Sequence, residues 1–495
     1  MTNLSPKSSE RVLFLGLDVG TQSTKGVLVD PVQGLVVARA SRAYGLLEGL
    51  PPGAAEQHPE TWIEAVRGVA ADLFATPGVS RDEVAGVGVS GQQHGLVVLD
   101  EAREVVRPAK LWCDTSTAHE ADELTRALGR SVPTGFTAPK VRWLARHEPE
   151  HWARTAHVLL PHDFVNLRLT GDLAMERGDA SGTGWLDPHT REFDARALAE
   201  TDPGLADKLP VLLDDGELAG GLDAYGAELL GLPEGTAVSA GGGDNMLSAI
   251  GSGAVRPGVV VVSLGTSGTA FTWSDAPIVD PEGLIAPFCA SMGGWLPLLC
   301  VMNLTGVTEE VRALTGLDHA ALTAAASAVP VGCEGLSWLP FLSGERVPNL
   351  PHATGTLRGL RPGLLRPGHL YRAALEGTSL NLASGLERLR RLGVAVDEVR
   401  LVGGAARNPL WRRILAASFG CPVVALAEPE SAALGGALQA AWAVARSAGI
   451  DAPLEAVVAQ SVRFDGAPEA APADEVARYA ELRARFEADV ARAYA

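Results

Sequence analysis

The stretch "VLFLGLDVGTQSTKGVLV", residues 12–29, has the pattern of a strand, a turn with Gly and Thr, and a second strand. The stretch "GVVVVSLGTSGTAFTW", residues 258–273, has the same pattern about half a chain later. Aligning the two turns pairs Gly20 with Gly265, Thr21 with Thr266 and Thr24 with Thr269. A hairpin that recurs at this interval predicts two similar domains that face each other across a cleft.

The rest of the chain alternates short β-branched runs with Ala- and Leu-rich helical stretches, which is typical of an α/β protein. A chain of 495 residues is too long for one hydrophobic core. Length alone suggests roughly three domains or two large ones, and the repeated hairpin favours two. We expect an N-terminal domain over residues 11–250 and a C-terminal domain over residues 251–495. The charged tail, residues 475–495, predicts an amphipathic helix packed on its own domain.

The two turns differ at one position that matters for chemistry. Asp18 before the first turn is matched by Ser263 before the second. Glycine N–H groups and threonine hydroxyls in both turns can bind phosphate oxygens, but only the first turn adds a carboxylate. Mg²⁺ prefers a small number of carboxylates together with water and phosphate oxygens. The pair therefore indicates a clamp for a metal-bound nucleotide, and the alternative is two ordinary β-hairpins.

The composition argues against some classes of partner. A net charge of −18 disfavours nucleic acids and anionic membranes. The opening "MTNLSPKSSE" lacks the apolar core of a signal peptide, and the apolar stretch 431–445 is too short to span a bilayer and predicts a buried helix. The five cysteines are scattered, as expected for reduced thiols: Cys113, Cys289, Cys300, Cys333 and Cys421. We expect a cytoplasmic protein that binds neither nucleic acid nor membrane.

Three segments match known motifs but lack the structural context that those motifs need. The G-x-G-x-x-G match at 86–91 is followed by a predicted strand instead of the helix that a dinucleotide site requires. The H-E-x-x-H match at 147–151 contains Pro149, so its histidines cannot share one continuous helix. The stretch 237–241 is a degenerate serine-hydrolase elbow with no marked histidine partner. The sequence contains no G-x-x-x-x-G-K-[ST] phosphate loop.

Residues 239–253, "SAGGGDNMLSAIGSG", place three consecutive glycines before an aspartate and a predicted helix. Glycine loses backbone entropy when it is fixed, so three together indicate either a sharp turn or a close approach to the backbone. Asp244 can cap the helix, which is an ordinary role for aspartate. It can also act as a base that orients and deprotonates a hydroxyl. The residues alone leave both roles open.

An ordered series of motifs resembles the FGGY family of carbohydrate kinases, and within it most closely the xylulokinases. The two family signatures are matched by "GFTAPKVRWLARH" (135–147) and "GTLRGLRPGLLRPGHLYRAALE" (355–376). Around these lie "LDVGTQSTKG", "GQQHG", "LWCD", "LLPHDFVNLRLTG", "GGGDN", "SLGTSG", "FLSGERVP" and "LVGGAARNPLW". The resemblance covers residues 11–445.

The resemblance implies two duplicated actin-like, or ribonuclease H-like, α/β domains around a central cleft. It implies phosphoryl transfer from ATP, with Mg²⁺, to a ketopentose: D-xylulose would become D-xylulose 5-phosphate. The aspartate of "GGGDN" is the base of the family, which makes Asp244 the general base here, and Gly241–Gly243 would let the main chain approach sugar and phosphate. The implied partner is a small-molecule sugar. The family often forms homodimers, although no segment here marks an interface.

The resemblance also assigns site residues by matched position. Asp18 would bind Mg²⁺ through water. The phosphates would bind Gly20, Thr21, Gly265 and Thr266, the nucleoside Gly403, Gly404 and Asn408, and the sugar Gln93, His94, Asp114 and Asn245. The alternatives are a plain strand-to-helix turn around Asn408, a buried structural histidine at His94 and a turn aspartate at Asp114. Trp62 is expected to pack or to line the pocket.

Three departures from the family pattern bear on the substrate. Many xylulokinases have Met where Gln93 stands and Asn where Cys113 stands, and the usual "GGGAR" is "GGAAR" here, with Ala405. A polar-for-apolar change in a sugar pocket alters which hydroxyl patterns can be satisfied. Kinases of ribulose, ribitol, gluconate or glycerol therefore remain alternatives. A more distant alternative is a non-catalytic actin-like ATP-binding protein or sensor, which would need neither Asp244 nor a sugar pocket.

Overall fold

The computed structural model describes residues 11–494, which form two compact units. The first contains residues 11–255, Pro287–Leu296 and Glu430–Val462, and the second contains Arg256–Ala286, Pro297–Pro429 and 463–494. The chain first changes unit after Val255, close to the predicted boundary at 250. The units are nevertheless not two continuous segments, because Glu430–Val462 packs within the first unit and not with its neighbours in sequence.

The strands of the described chain are, in order, β1 (Leu13–Val19), β2 (Ser23–Asp30), β3 (Leu35–Ala43), β4 (Glu56–Gln57), β5 (Val84–Gly91), β6 (Val97–Leu99), β7 (Ala109–Lys110), β8 (His157–Leu159), β9 (Ala174–Glu176), β10 (Leu186–Asp187), β11 (Glu192–Phe193), β12 (Val211–Leu213), β13 (Leu218–Gly221), β14 (Ala237–Ser239), β15 (Gly242–Gly243), β16 (Gly258–Leu264), β17 (Gly268–Thr272), β18 (Ala286–Cys289), β19 (Trp295–Val301), β20 (Ser337–Leu339), β21 (Thr356–Arg358), β22 (Val396–Val402), β23 (Val423–Leu426) and β24 (Phe464–Glu469).

The α-helices are α1 (Pro59–Phe74), α2 (Ala118–Leu128), α3 (Thr137–His147), α4 (Pro149–Arg154), α5 (Pro161–Thr170), α6 (Arg177–Ala180), α7 (Ala195–Thr201), α8 (Ala224–Leu230), α9 (Asp244–Gly251), α10 (Thr305–Thr315), α11 (His319–Ser327), α12 (Pro367–Arg391), α13 (Pro409–Phe419), α14 (Ser431–Ser447), α15 (Leu454–Ser461) and α16 (Ala473–Ala493). Single 3₁₀ turns occur at Arg81–Glu83, Ala206–Lys208, Cys333–Gly335 and Gly404–Arg407.

The main sheets of the two units share one topology. In the first unit the strand order is β13-β14-β5-β1-β2-β3, and in the second it is β24-β23-β22-β16-β17-β19-β18. β14, β5 and β1 are parallel, and β13, β2 and β3 run antiparallel to their neighbours. In the second sheet β23, β22 and β16 are parallel, and β24, β17 and β19 are antiparallel to theirs. This confirms the predicted α/β fold with two duplicated domains.

The two repeated hairpins differ in register. Thr24 pairs with Val19 across the first hairpin, whereas Thr269 pairs with Ser263 across the second. The two threonines that the sequence alignment matched are therefore not equivalent in the sheets. The duplication is conserved in topology and not residue by residue.

Helix α14 packs on the sheet of the first unit because glycines allow the two backbones to meet. A Cβ on Gly16 of β1 would lie 1.8 Å from Ala433 O, and a Cβ on Gly88 of β5 would lie 2.0 Å from Gly436 O. No other residue type fits at either position. The apolar stretch 431–445 therefore forms the predicted buried helix, and it returns to the first unit.

The rejected motifs lie in the contexts that the sequence predicts. Residues 86–91 fall within β5 and are followed by a turn and the short strand β6. Helix α3 ends at His147, and α4 begins at Pro149. Trp62 is fully buried and donates a 3.0 Å hydrogen bond to Gln57 Oε1, so it packs the interior of the first unit.

The predicted tail helix is present as α16, where Tyr479 and Phe486 are buried in the core of the second unit. Residue 495 lies outside the described residues. Within 11–494, no helix combines the length and the apolar character needed to cross a bilayer.

Candidate active site

Asp18 lies near the end of β1, beside the parallel strand β5. Its Oδ1 accepts a 2.9 Å hydrogen bond from Ser90 Oγ, directly opposite on β5. Lys25, opposite Asp18 on β2, is paired with Glu430 at 2.7 Å. Burial raises the pKa of Asp18 to about 6, although the hydrogen bond from Ser90 and the charge of Lys25 both act to lower it. The negative charge of Asp18 is therefore only partly compensated.

Asp244 is the first residue of α9, and Gly243 occupies the N-cap position. Helix capping therefore does not explain this aspartate. Its Oδ1 accepts two hydrogen bonds from Asn245, at 2.7 Å from the backbone N and 2.8 Å from Nδ2. Burial and the negative charges of Asp18 and Asp179 raise the pKa of Asp244 to about 7, whereas Asn245 acts to lower it. A half-buried carboxyl that titrates near neutrality is suited to accept a proton.

Two of the predicted sugar-binding residues contact each other beside Asp244. Asn245 Nδ2 donates a 2.9 Å hydrogen bond to Gln93 Oε1. His94 follows Gln93 with a positive φ of 66°, and its ring lies against Phe136 and Phe288, at centroid distances of 4.9 and 5.7 Å. The first unit therefore brings Gln93, His94 and Asn245 to one place.

The glycines before Asp244 are required by the protein's own packing. Gly241 has a φ of 76°, and a Cβ there would lie 2.4 Å from Val89 O. A Cβ on Gly243 would lie 2.7 Å from Gln93 Cγ. The absence of a Cβ at these two positions is therefore required by β5 and by Gln93, and the expectation that the glycines admit sugar and phosphate stays a prediction.

The turn after β1 is tied to its surroundings by side chains. Thr21 Oγ1 donates to Gln92 Oε1 at 3.0 Å and accepts from Trp112 Nε1 at 2.9 Å. Gly20 O accepts a 2.7 Å hydrogen bond from Tyr44 OH. The Thr21 hydroxyl is thus engaged within the protein, so a phosphate would meet this turn mainly through backbone N–H groups.

Asp114 is not part of the group around Asp244. It is fully buried, and its Oδ2 accepts from Ala55 N at 3.0 Å and from Lys110 Nζ at 3.1 Å. Its Oδ1 accepts from the backbone N and the hydroxyl of Ser116, at 2.9 and 2.5 Å. These four bonds support the alternative of a structural turn aspartate, and a role in sugar binding stays a prediction.

In the second unit, the predicted nucleotide residues lie on two neighbouring loops. Gly265 O and Thr266 O accept hydrogen bonds from Thr305 N and Leu304 N, at 3.0 and 3.1 Å, which places this turn at the N-terminus of α10. A Cβ on Gly403 would lie 2.7 Å from the carbonyl oxygen of the residue before Gly265.

The loop after β22 borders a cavity of about 340 Å³, which Gly403 and Gly404 help to line. Gly403 has a φ of 93°, and a Cβ on Gly404 would enter open space. Asn408 is the N-cap of α13: its side chain accepts from Trp411 N at 3.2 Å and donates to Thr323 Oγ1 at 3.0 Å. The side chain of Asn408 is therefore already engaged, whereas Gly404 faces open space and Gly403 lies against the backbone of β16.

Three residues of the site were not found from sequence. Ser90 holds Asp18, and Asp179 and His162 form a buried pair behind Gln93. His162 lies in "LLPHDFVNLRLTG", which was singled out only as a motif. Asp179 and Ser90 carry no sequence signal, because each is a common residue type whose role depends on contacts with distant segments.

Asp18 is a residue of the first unit that could hold a magnesium ion through water. Among the described residues there is no cluster of three or more His, Cys, Asp or Glu that could hold a metal ion. Mg²⁺ commonly keeps several waters and binds through one or two carboxylates together with substrate phosphates. A carboxylate fixed by Ser90, with its charge only partly compensated, suits this mode of binding.

Comparison with known proteins agrees with this arrangement. The N-terminal domain model of the FGGY family of carbohydrate kinases matches residues 13–251, and the C-terminal domain model matches residues 260–444. The xylulose kinase of Haemophilus influenzae is 39% identical over 447 residues, which cover 87% of this chain and 90% of that protein.

Two solved structures are similar over nearly the whole chain. The xylulose kinase from Rhodospirillum rubrum has a TM-score of 0.87 at 30% identity, covering 97% of this chain and 98% of that one. The gluconate kinase from Lactobacillus acidophilus has a TM-score of 0.88 at 25% identity, covering 98% of each chain. With both domain models matched in order and such relatives aligned along most of its length, the chain belongs to the FGGY family of carbohydrate kinases.

Proposed function

We propose that this chain phosphorylates D-xylulose to D-xylulose 5-phosphate with ATP, and that Asp244 is the general base. The observation that carries the proposal is the position of Asp244 at the start of α9, beside Asn245 and with a pKa of about 7. The similarity to the xylulose kinases of H. influenzae and R. rubrum supports the choice of sugar.

The proposed base removes a proton as the sugar attacks. A hydroxyl that attacks the γ-phosphoryl group loses its proton while the new P–O bond forms, and the bond from the γ-phosphorus to the bridging oxygen breaks to release ADP. A carboxylate with a pKa of about 7 is a stronger base than an ordinary aspartate and is still half ionised at neutral pH. Asn245 binds Oδ1 of Asp244 twice, so we assign the proton to Oδ2.

Asp18 would hold Mg²⁺ through water. When bound, Mg²⁺ supplies positive charge that neutralises the phosphate oxygens. Asp18 itself has a second effect, because its negative charge contributes to the high pKa of Asp244. Ser90 keeps the Asp18 carboxylate in place for both roles.

The nucleotide is assigned to glycine-rich backbone. In the first unit we assign phosphate binding to Gly20 and Thr21. In the second unit, Gly265 and Thr266 lie at the N-terminus of α10, where the helix favours negative charge. The nucleoside is assigned to the loop of Gly403, Gly404 and Asn408. The predicted division of sugar and base in residues 11–250 and nucleotide in 251–495 is kept for the sugar, the base and the nucleoside, whereas phosphate binding is assigned to turns in both segments.

The sugar is assigned to Gln93, His94 and Asn245. Gluconate kinase activity is the second candidate, because a gluconate kinase is among the similar structures. Asp18, Asp179 and Asp244 all place negative charge in this region, and the first two raise the pKa of the third. An anionic substrate would be repelled by these carboxylates, which favours a neutral sugar.

The test of the substrate is a coupled ADP-release assay with Mg·ATP. The sugars are D-xylulose, D-ribulose, L-ribulose, ribitol, glycerol and gluconate. We expect the highest kcat/KM with D-xylulose. A preference for another sugar would move the substrate while leaving the kinase reaction intact, and no turnover with any sugar despite nucleotide binding would support the ATP-binding sensor.

The test of the base is Asp244→Ala. We expect kcat to fall at least ~10²-fold, the usual scale for a positioned base. ATP binding should persist, because the nucleotide residues assigned above do not include Asp244. Asp244→Asn is the matched variant, since it keeps an oxygen for Asn245 but cannot accept the proton. Activity within a few-fold of wild type in either variant would refute the role of Asp244.

A further inference from the structure

Gln93 lies at the centre of a buried polar chain in the first unit. On one side its Oε1 accepts a hydrogen bond from Asn245 Nδ2 at 2.9 Å, and the same Nδ2 donates to Asp244 Oδ1 at 2.8 Å. On the other side the amide of Gln93 lies beside Asp179 and favours the ionised form of that carboxylate. Gln93 is only 5% exposed, and Asp179 is 0% exposed. Asp179 is therefore out of reach of a substrate, and it acts on the site through the Gln93 amide and through its charge, which raises the pKa of Asp244.

Asp179 is held in place by His162. His162 Nδ1 and Asp179 Oδ2 are 2.7 Å apart, and neither side chain is exposed. Burial alone would lower the pKa of His162, but the negative charges of Asp163 and Asp179 raise it to about 9. The two carboxylates therefore favour the cationic form of the ring, whose Nδ1 lies against Oδ2 of Asp179. Oδ1 of Asp179 remains as the acceptor for Gln93.

The orientation of the Gln93 amide follows from this arrangement. Asn245 Nδ2 is a donor, so Gln93 must present its oxygen to Asn245 and its nitrogen to Asp179. Gln93 Nε2 and Asp179 Oδ1 are both buried, and among residues 11–494 neither forms a hydrogen bond, so each is available to the other. If the Gln93 amide were flipped, its NH₂ group would meet the NH₂ group of Asn245, and its oxygen would lie against the carboxylate of Asp179. Asp179 thus selects the orientation in which Gln93 can hold Asn245.

We propose that Gln93 is a positioning residue for the general base. It ties Asn245, and through Asn245 the carboxylate of Asp244, to the buried Asp179–His162 pair. This role rests on the proposed function of Asp244. Gly243 supports it, because a Cβ there would lie 2.7 Å from Gln93 Cγ, so that glycine is what admits the Gln93 side chain beside the base.

The proposal differs from two simpler roles of Gln93. If Gln93 only contacted the sugar, Asp179→Ala and Asp179→Asn would change kcat equally, because both remove only the charge that raises the pKa of Asp244. If Gln93 only filled space, methionine would replace it, since methionine is flexible and of similar size. Methionine accepts no hydrogen bond of useful strength from Asn245, so the positioning role predicts that it cannot substitute.

The experiment measures kcat and both KM values for Gln93→Met, Asp179→Ala and the double variant. A misplaced catalytic group can cost up to ~10²-fold in rate, so we expect each single variant to lower kcat about 10- to 100-fold. KM for ATP should stay within a few-fold. The double variant should fall no further than the worse single variant, because both substitutions break the same chain.

Two further variants separate positioning from damage to the fold. Asp179→Asn keeps an oxygen for Gln93 and should retain kcat within about threefold, which is rescue by the conservative residue. Asp163→Ala is the matched control. It removes the carboxylate 3.0 Å from Nε2, on the opposite side of the His162 ring, without touching Gln93. It should leave kcat near wild type, even where thermal stability falls as much as in Asp179→Ala.

Several outcomes would overturn the proposal. The first is a wild-type kcat in Asp179→Ala. The second is a double variant whose loss of kcat equals the product of the two single losses. The third is a loss of kcat in Asp163→Ala as large as that in Asp179→Ala. Asp244→Asn is assayed in parallel. If that variant is active, the proposed base is wrong; if it is inactive while Gln93→Met and Asp179→Ala keep kcat, only the positioning role is wrong.

Discussion

The ends of β1 and β16 occupy the same place in two sheets of one topology, yet only the first carries an acid. Asp18 of β1 lies opposite Ser90 on its parallel neighbour β5, whereas Ser263 of β16 lies opposite Val402 on β22. Ser90 donates a hydrogen bond to the carboxylate. Val402 has no donor to offer. The two strand ends therefore differ in one cross-strand pair: the first combines a carboxylate with a hydrogen-bond donor beside it, and the second has neither in its side chains.

The substitution with the largest expected effect is Asp18→Ser, which gives β1 the residue type that β16 has at the matched position. Loss of a carboxylate that holds a metal ion through water typically costs about 10- to 100-fold in activity or metal affinity. We expect kcat at ordinary Mg²⁺ to fall by that factor and to recover partly at high Mg²⁺. The measurement is a titration of activity against Mg²⁺. An unchanged midpoint and rate would refute the assignment of Asp18.

The pH dependence of kcat on the acidic side gives a second test of what Asp18 contributes to the first unit. Asp244 has a pKa of about 7 and must be ionised to act as base. Such a group is about one-tenth ionised at pH 6, so kcat should be about tenfold lower at pH 6 than at pH 8. Asp18 is one cause of the raised pKa. In Asp18→Ser the fall of kcat on the acidic side should therefore move to lower pH. If it stays at the same pH, the charge of Asp18 does not raise the pKa of Asp244.

Stability should show the opposite trend to activity. The folded-state pKa of Asp244 is raised from 3.8 to about 7. Ionisation therefore costs the folded state nothing below about pH 4, an increasing amount as the pH rises, and the full amount above pH 7. The full amount is at most ~4 kcal/mol, reduced by the solvent that still reaches a half-buried group.

Asp244→Asn removes this cost. We expect its Tm to exceed that of wild type most at pH 8, less at pH 6 and little at pH 4, as measured by thermal unfolding without nucleotide. A variant less stable than wild type at pH 8 would show that Asp244 is not a strained charge. The stability gained would accompany a loss of kcat, which is common where an active site keeps an uncompensated charge.

Much of the fold could be predicted because its signals are local. The strand-turn-strand pattern of 12–29 and 258–273 determines both hairpins, and the duplicated topology follows from them. The return of α14 to the first unit could not be predicted. It depends on backbone contact between helix and sheet, such as Gly16 against Ala433, between residues that are far apart in sequence.

The residues of the site also divide into those that the sequence predicts and those that it does not. Asp244, Asn245 and Gln93 stand in recognisable motifs, and the structure places them in contact. Asp179 was missed because its role depends on His162 and Gln93, which lie on other segments. The close contact at Gly243 could not be predicted for the same reason, since the group beside it is the side chain of Gln93, from the turn after β5.

The finest test of the comparison between the two strands is a pair of serine deletions. Ser90→Ala removes the hydrogen bond that holds Asp18, and a hydrogen bond of this kind contributes about 1 kcal/mol, or about fivefold in rate. The pKa of Asp18 should rise, because Ser90 acts to lower it, and the Mg²⁺ midpoint should rise with it.

Ser263→Ala is the matched control in the second sheet, where no carboxylate depends on the hydroxyl, and kcat should stay within about twofold. Equal losses of kcat in both variants would mean that the two serines have the same effect on the reaction. The cross-strand pair of Asp18 and Ser90 would then not explain the difference between the two units. A loss confined to Ser90→Ala would locate the specialisation of the first unit in one hydroxyl on the strand next to the acid.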